Sequence, residues 1–234
     1  GRWEWWEQVR EIVSRLPAET PIACRNLESL RWAAQKRPEL LAGDREGVLS
    51  LIRARVQDRP IVQRTWGTGS TEFTERFRDV ESRIGFADAV TLLAIDEAIR
   101  TPSFADRLFQ FAEQDRADTT TEYGGIVVIQ PGGREGAAAV LYPPRAGQRR
   151  GDREFIASED LLSASVHALA HFHFHVQRVS NAEAAGPSPA DLAYAKRFGR
   201  TCLVFTSVGP GRLNADYYQP DGVVVDLGVL TPAR

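Results

Sequence analysis

The sequence has no methionine, two cysteines, two lysines and four histidines in 234 residues. Cys24 and Cys202 lie too far apart for a zinc-finger or redox spacing, so one disulfide or two free thiols both fit. Lys36 and Lys196 are the only lysines; arginine supplies nearly all the positive charge, a whole-chain skew with no local cause. With a net charge of −2, the balance excludes neither sign strongly and points to neither nucleic acid nor an anionic membrane as partner. No apolar run reaches the roughly 18 to 20 residues needed to cross a bilayer. No leader pattern is visible. The chain opens on Gly1 without a methionine, which predicts a missing native start; a tag remnant and a removed leader both fit. The expectation is a soluble chain, cytoplasmic or exported. There is no repeat at fixed period and no low-complexity run.

What is present is ordinary for a globular chain: 43% hydrophobic and 26% charged residues, enough for one large domain or two small ones. Residues 1–100 are predicted to form a helical region. Trp5, Val9, Ile12, Val13 and Leu16 have helical spacing before Pro17. Asn26 is placed to cap a second helix running to Lys36, and Asp44 to cap a third over Arg45 to Val56. Pro60 to Gly69 reads as a break, followed by a helical pattern at Ser70, Phe73, Phe77, Val80 and Ile84. Ala87 to Ile99 reads as a buried helix, and Thr101-Pro102-Ser103 starts another that ends near Asp115. Trp3, Trp5, Trp6, Trp32 and Trp66 suit core and interface packing, with a ligand face as the alternative.

The pattern then changes period. Glu122 to Ile129, opening on glycines, and Ala137 to Tyr142 read as a hairpin around Pro131-Gly-Gly133. Residues 143–153 form a basic Gly/Pro-rich loop, solvated or facing an acidic partner. Ser158 to Ser165 reads as a short helix or a strand start. Val166 to Val176 alternates, with His167, His171, His173 and His175 on one side and Ala168, Ala170, Phe172, Phe174 and Val176 on the other. Ser188 starts a helix over Pro189 to Phe198, Thr201 to Ser207 is a strand, Tyr217 to Gly222 a turn, and Val223 to Leu230 a last strand. The predicted class is therefore α/β (α+β), a helical N-terminal region of unassigned role followed by a sheet-containing domain over 101–234.

Two histidines at i and i+2 on a strand point the same way, so both imidazoles reach one ion. A carboxylate from a second element makes three protein ligands and leaves a fourth position for water, the arrangement of catalytic rather than structural zinc. Hydrolysis then needs a further carboxylate to move a proton and a hydroxyl or N–H to hold the oxyanion. Glu122-Tyr-Gly-Gly, His173-Phe-His175 and Ser188-Pro-Ala-Asp191, in that order, resemble the JAB/MPN/JAMM metallopeptidase family. The resemblance covers roughly Phe104 to Leu230. It implies a curved sheet flanked by helices, with zinc on His173, His175 and Asp191. It implies Glu122 as general acid/base, Ser188 as oxyanion donor, and a protein or peptide substrate cleaved beside a ubiquitin-like C-terminus. Val176 stands where the family carries proline, and the interval from His175 to Ser188 is longer than the family's. His171 leaves His171/His173 open as a second ligand pair, and His167 reads as a partly buried histidine without a metal role.

Three readings compete. The first is a zinc-dependent amide or isopeptide hydrolase. The second is a catalytically silent binding or scaffold module of the same fold, docking a partner through the N-terminal tryptophans. The third is a cupin-like metalloenzyme on the His171/His173/His175 face, independent of Asp191. Taken alone, Ser188-Pro-Ala-Asp191 is also what an ordinary capped helix start looks like.

Overall fold

A six-stranded mixed sheet carries every candidate site residue on or beside it. The computed structural model describes residues 2–62, 75–130, 136–152 and 154–233. The strands are β1 (Gly124–Ile129), β2 (Ala137–Leu141), β3 (Ala168–His175), β4 (Cys202–Gly209), β5 (Arg212–Tyr218) and β6 (Val224–Leu230), in the spatial order β2-β1-β3-β4-β5-β6. All neighbours are antiparallel except β3 and β4. A parallel pair needs a crossover, and here the helix Pro189–Phe198 makes it. That crossover carries Asp191 from the end of β3 back over the sheet.

One sheet face is closed by the N-terminal helices: α1 (Arg2–Arg15), α2 (Leu27–Lys36), α3 (Pro38–Ala42), α4 (Arg45–Val56), α5 (Phe77–Val80), α6 (Phe86–Ile99) and α7 (Pro102–Ala117). Phe172 and Phe174 of β3, Val176 just after it, Phe205 of β4 and Tyr217 of β5 share one hydrophobic core with Leu30, Ile52, Leu92 and Leu108. The helical region and the sheet are thus packed together across residue 100. α6 is mostly apolar because it is mostly buried, with Val90, Leu92 and Ile95 at 0% exposure, and its acids Asp88, Asp96 and Glu97 are each paired with arginine. The opposite face carries α8 (Glu159–Ala164) and α9 (Pro189–Phe198), where Leu192, Tyr194 and Ala195 pack on Cys202, Val204 and Tyr218.

Charge also ties the layers. Asp96 of α6, 1% exposed, receives Arg55 at 2.7 Å, Arg59 at 2.5 Å and Arg100 at 3.2 Å. Arg59 also donates to the Leu227 carbonyl of β6 at 2.9 Å. Burial alone would raise the Asp96 carboxyl, but these guanidinium groups outweigh it and hold it below the usual carboxylate range.

Several local expectations change. Asn26 does not cap α2: it sits in a 3-10 turn with αR backbone, and its amide donates to Asp88 at 2.7 Å and Thr91 at 3.2 Å. Asp44 does cap α4, accepting from Gly47 N at 2.8 Å. Pro38 opens the short α3, since the first helical position needs no N–H. Phe77, Val80 and Ile84 are all buried, yet α5 ends at Val80 and gives way to a 3-10 turn. Ser70, Phe73, Trp66, the Pro60 to Gly69 break beyond residue 62, the Pro131-Gly-Gly133 turn and Arg153 lie outside the described residues.

Tyr217 and Tyr218, read as turn, end β5, and the turn is confined to residues 219–222. Leu213, Ala215 and Tyr217 alternate with Asn214 and Asp216 along the strand, and both polar residues are fully buried. β3 starts at Ala168, and His167, partly buried, packs edge-on against Trp5 with ring centroids 4.5 Å apart. Trp5 and Trp32 are core residues, while Trp3 and Trp6 are exposed. The basic loop is held by Arg145 on Asp160 and Arg149 on Asp118. Cys24, exposed, and Cys202, buried, are free thiols. No helix among the described residues is long and apolar enough to cross a membrane.

Candidate metal centre

The alternation of β3 puts His171, His173 and His175 on the face opposite the phenylalanines, under α9. Their neighbours in register on β4 are Cys202, Val204 and Thr206. Three elements bring the other groups to them. Glu122 stands just before β1, whose Gly124 pairs with His173. Asp191 comes from the first turn of α9, and the loop 176–187 closes the far side.

Gly124 and Gly125 have a steric reason. A Cβ at Gly124 would lie 2.2 Å from the Phe155 ring, and one at Gly125 would lie 2.0 Å from the Val140 carbonyl oxygen. Only glycine lets Phe155 lie over the strand start, where it stacks on the His173 ring at 5.3 Å and 13°. Tyr123 N then donates to Asp115 Oδ1 at 2.8 Å, which holds the Glu122 segment against α7.

His173 Nε2 and His175 Nε2 are 3.3 Å apart. Asp191 Oδ1 lies 3.2 Å from His173 Nε2, and Oδ2 lies 3.7 Å from His175 Nε2. Zinc bonds nitrogen and oxygen at about 2.0–2.2 Å, so donors on one tetrahedral ion are about 3.3 Å apart. The two Nε2 atoms match that spacing, and each Asp191 oxygen comes near a different one of them. His175 Nδ1 faces the Ala184 carbonyl at 3.1 Å, which makes it the protonated nitrogen in the neutral ring and leaves Nε2 free to face an ion. Glu122, His173 and His175 place ligand atoms within 4.8 Å of one another. Glu122 and Asp191 are both candidate carboxylates for the same ion.

Charge makes the same point. Burial disfavours a proton on His173, but Asp191, Glu122 and Asp115 outweigh it and raise the ring's proton affinity. Burial also works against ionised Asp191, yet the histidines and Ser188 bring its carboxyl well below the ordinary range. His175, buried beside His173, is pushed down to about 4. Burial pushes Glu122 up to about 7, helped by Asp191 and Asp152. It pushes Asp115 to about 8, and Asp115 Oδ2 is buried with no hydrogen-bond partner among the described residues. Three carboxylates surround two imidazoles, and among the described residues no lysine or arginine bonds Glu122, Asp115 or Asp191. The raised proton affinity of His173 marks a place that favours positive charge. The donor set of two imidazoles and carboxylates suits zinc and other borderline divalent metals.

Ser188 and Asp191 form a reciprocal capping box: Asp191 N donates to Ser188 Oγ at 3.2 Å, and Ser188 N to Asp191 Oδ2 at 2.7 Å. The cap turns Asp191 toward the histidines, and the Ser188 hydroxyl also supports the ionised Asp191 carboxylate. His171 is brought elsewhere: its Nδ1 pairs with the Tyr194 hydroxyl at 2.7 Å, and burial with nearby Arg200 pushes it to about 3. Glu122, His175, Ser188 and Asp191 line an open cleft of about 980 Å³, walled by Phe155, Tyr194 and Phe198.

Sequence reasoning missed Asp115, Phe155, Gln177, Asn181 and Tyr194. One signal pointed to Asp115: an acid in the last turn of α7, where the helix dipole favours a base. No family model matches this chain, and no curated protein or solved structure does either.

Proposed function

We propose that this chain is a zinc-dependent hydrolase of amide or isopeptide bonds, of the JAB/MPN/JAMM type, acting on a protein or peptide substrate. The observation that supports the reading is the approach of His173 Nε2 and His175 Nε2 to 3.3 Å, with Asp191 Oδ1 3.2 Å from the first, Asp191 Oδ2 3.7 Å from the second, and a Glu122 oxygen within 4.8 Å of both rings. When bound, zinc supplies a water acidified to a pKa of ~7 and positive charge against the scissile carbonyl. Glu122, held at about 7 by burial, is matched to neutral pH: it takes the proton of the attacking water and returns it to the leaving amine. Ser188 donates its hydroxyl proton to the carbonyl oxygen as charge develops there. The open cleft of about 980 Å³ leaves room for extended chain beside the cleaved bond.

A second reading, the fold kept as a binding module, draws on α1, where Trp3 is 74% and Trp6 44% exposed. Both readings are tested by incubating the zinc-loaded chain with ubiquitin-like proteins fused through their C-termini to a reporter. Cleavage is expected, lost in Glu122→Ala and His175→Ala, with Glu122→Ala still holding zinc. Zinc binding without cleavage favours the binding module, and full activity of Glu122→Ala overturns the mechanism.

A further inference from the structure

The loop between His175 and Ser188 is built into the sheet. Asn181 N donates to the Ser207 carbonyl at 2.6 Å, Ser207 Oγ to the Val179 carbonyl at 2.7 Å, and Gly186 N to Asp216 Oδ2 at 3.1 Å. Inside it, two side-chain amides run in series to Glu122. Asn181 Nδ2 donates to the His175 carbonyl at 3.1 Å and to Gln177 Oε1 at 2.9 Å. Gln177 Nε2 donates to Glu122 Oε1 at 2.8 Å.

The direction of this chain is forced. The His175 carbonyl can only accept, so the Asn181 amide must turn its nitrogen to it. The second hydrogen of that nitrogen needs an acceptor, which fixes Gln177 with its oxygen inward. Gln177 then has only its nitrogen to offer Glu122. A flip of either amide would set two oxygens or two N–H groups face to face. Asn181 is 4% exposed, so water does not substitute freely for these bonds.

We infer that Gln177 and Asn181 are positioning residues for Glu122, fixing its rotamer and occupying Oε1 so that Oε2 is the oxygen that takes and returns the proton. The assignment rests on the hydrolase reading above. In that reaction the water oxygen bonds to the carbonyl carbon, its proton passes to Oε2, the C–N bond breaks, and the same proton leaves on the amine. Oε1 keeps its bond to Gln177 throughout.

The test is Gln177→Leu in the full, zinc-loaded chain, with steady-state cleavage of the reporter fusion and zinc content as readouts. Loss of outer support of this kind costs about tenfold to a hundredfold, and it is expected in kcat with KM and zinc stoichiometry unchanged. A wild-type kcat in Gln177→Leu overturns the inference and leaves the hydrolase reading standing. So does a fall in kcat accompanied by lost zinc, which places Gln177 in metal retention instead. A second measurement is independent of activity: the side-chain amide protons of Gln177, followed by NMR, are expected to move upfield in Glu122→Ala. Resonances indifferent to that substitution overturn the inference. A wild-type chain that cleaves no fusion removes the hydrolase reading, and the relay's role falls with it.

Discussion

Two buried acidic regions of this molecule are handled in opposite ways. Asp96 in the helical layer, 1% exposed, is met by three guanidinium groups. Around β3, Glu122, Asp115 and Asp191 are gathered beside two histidines, and no arginine or lysine bonds them among the described residues. The chain is rich in arginine and uses it freely at Asp96. Unpaired buried charge is costly, and it persists where function asks for it. The difference teaches that the second region is built to favour positive charge without an arginine, as the raised proton affinity of His173 also shows, and a bound cation there is the proposal made above.

The largest expected effect separates carboxylates that bind from the one that reacts. Glu122→Gln is expected to cut turnover by roughly 10² to 10⁴ while zinc content stays at one per chain. Assay of turnover beside elemental analysis checks it, and equal loss of both would move Glu122 among the ligands. Next comes the paired region. Asp96→Ala strands three cations and is expected to destabilise by about 3–5 kcal/mol, read by urea unfolding, with no dependence on added zinc. A change under 1 kcal/mol would mean that the guanidinium groups find water instead.

Asp115 sharpens the contrast through pH. Its carboxyl is raised to about 8 in the fold, far above the unfolded value of roughly 3.9. Between those values the native chain holds a proton that the unfolded chain has lost, so stability falls as pH rises and levels off above about 8. Asp115→Asn should therefore be the more stable protein at pH 8 without zinc, by a few kcal/mol at the order of magnitude. Its advantage should vanish toward pH 4, and zinc should shrink it by supplying the countercharge. Thermal melts across pH decide this, and an advantage that grows on acidification would reverse the sign. The smallest effect is a count. Zinc should displace about one proton from the His173–Asp191 pair, measured calorimetrically in buffers of different ionisation enthalpy; no release would mean a neutral His173.

Much of this fold could be read from the chain because its helices bury by period. Val48, Leu49, Ile52 and Val56 of α4 and the largely apolar α6 announced themselves, as did the alternation of β3. β5 was missed although Leu213, Ala215 and Tyr217 alternate with Asn214 and Asp216: those polar residues, which point to solvent in an ordinary half-buried strand, are fully buried here. The same division runs through the site. Glu122, His173, His175, Ser188 and Asp191 could be named from short motifs, whose local geometry follows from a strand and a helix start. Asp115 and Gln177 could not, since their meaning lies in contacts with Tyr123 across a helix end and with Glu122 across 55 residues of sequence. Ser188-Pro-Ala-Asp191 taken alone reads as a helix cap, and it is one; the same cap sets Asp191 beside His173 and His175.

The central claim is that one metal ion sits between His173, His175 and Asp191 while Glu122 stands back from it. Anomalous scattering at the zinc edge, from crystals of the zinc-loaded chain, tests it most directly. The expected result is a single peak at bonding distance from His173 Nε2, His175 Nε2 and an Asp191 oxygen, with Glu122 too far to coordinate. A peak bonded to Glu122 with Asp191 out of reach, or no peak on β3 at all, would contradict it.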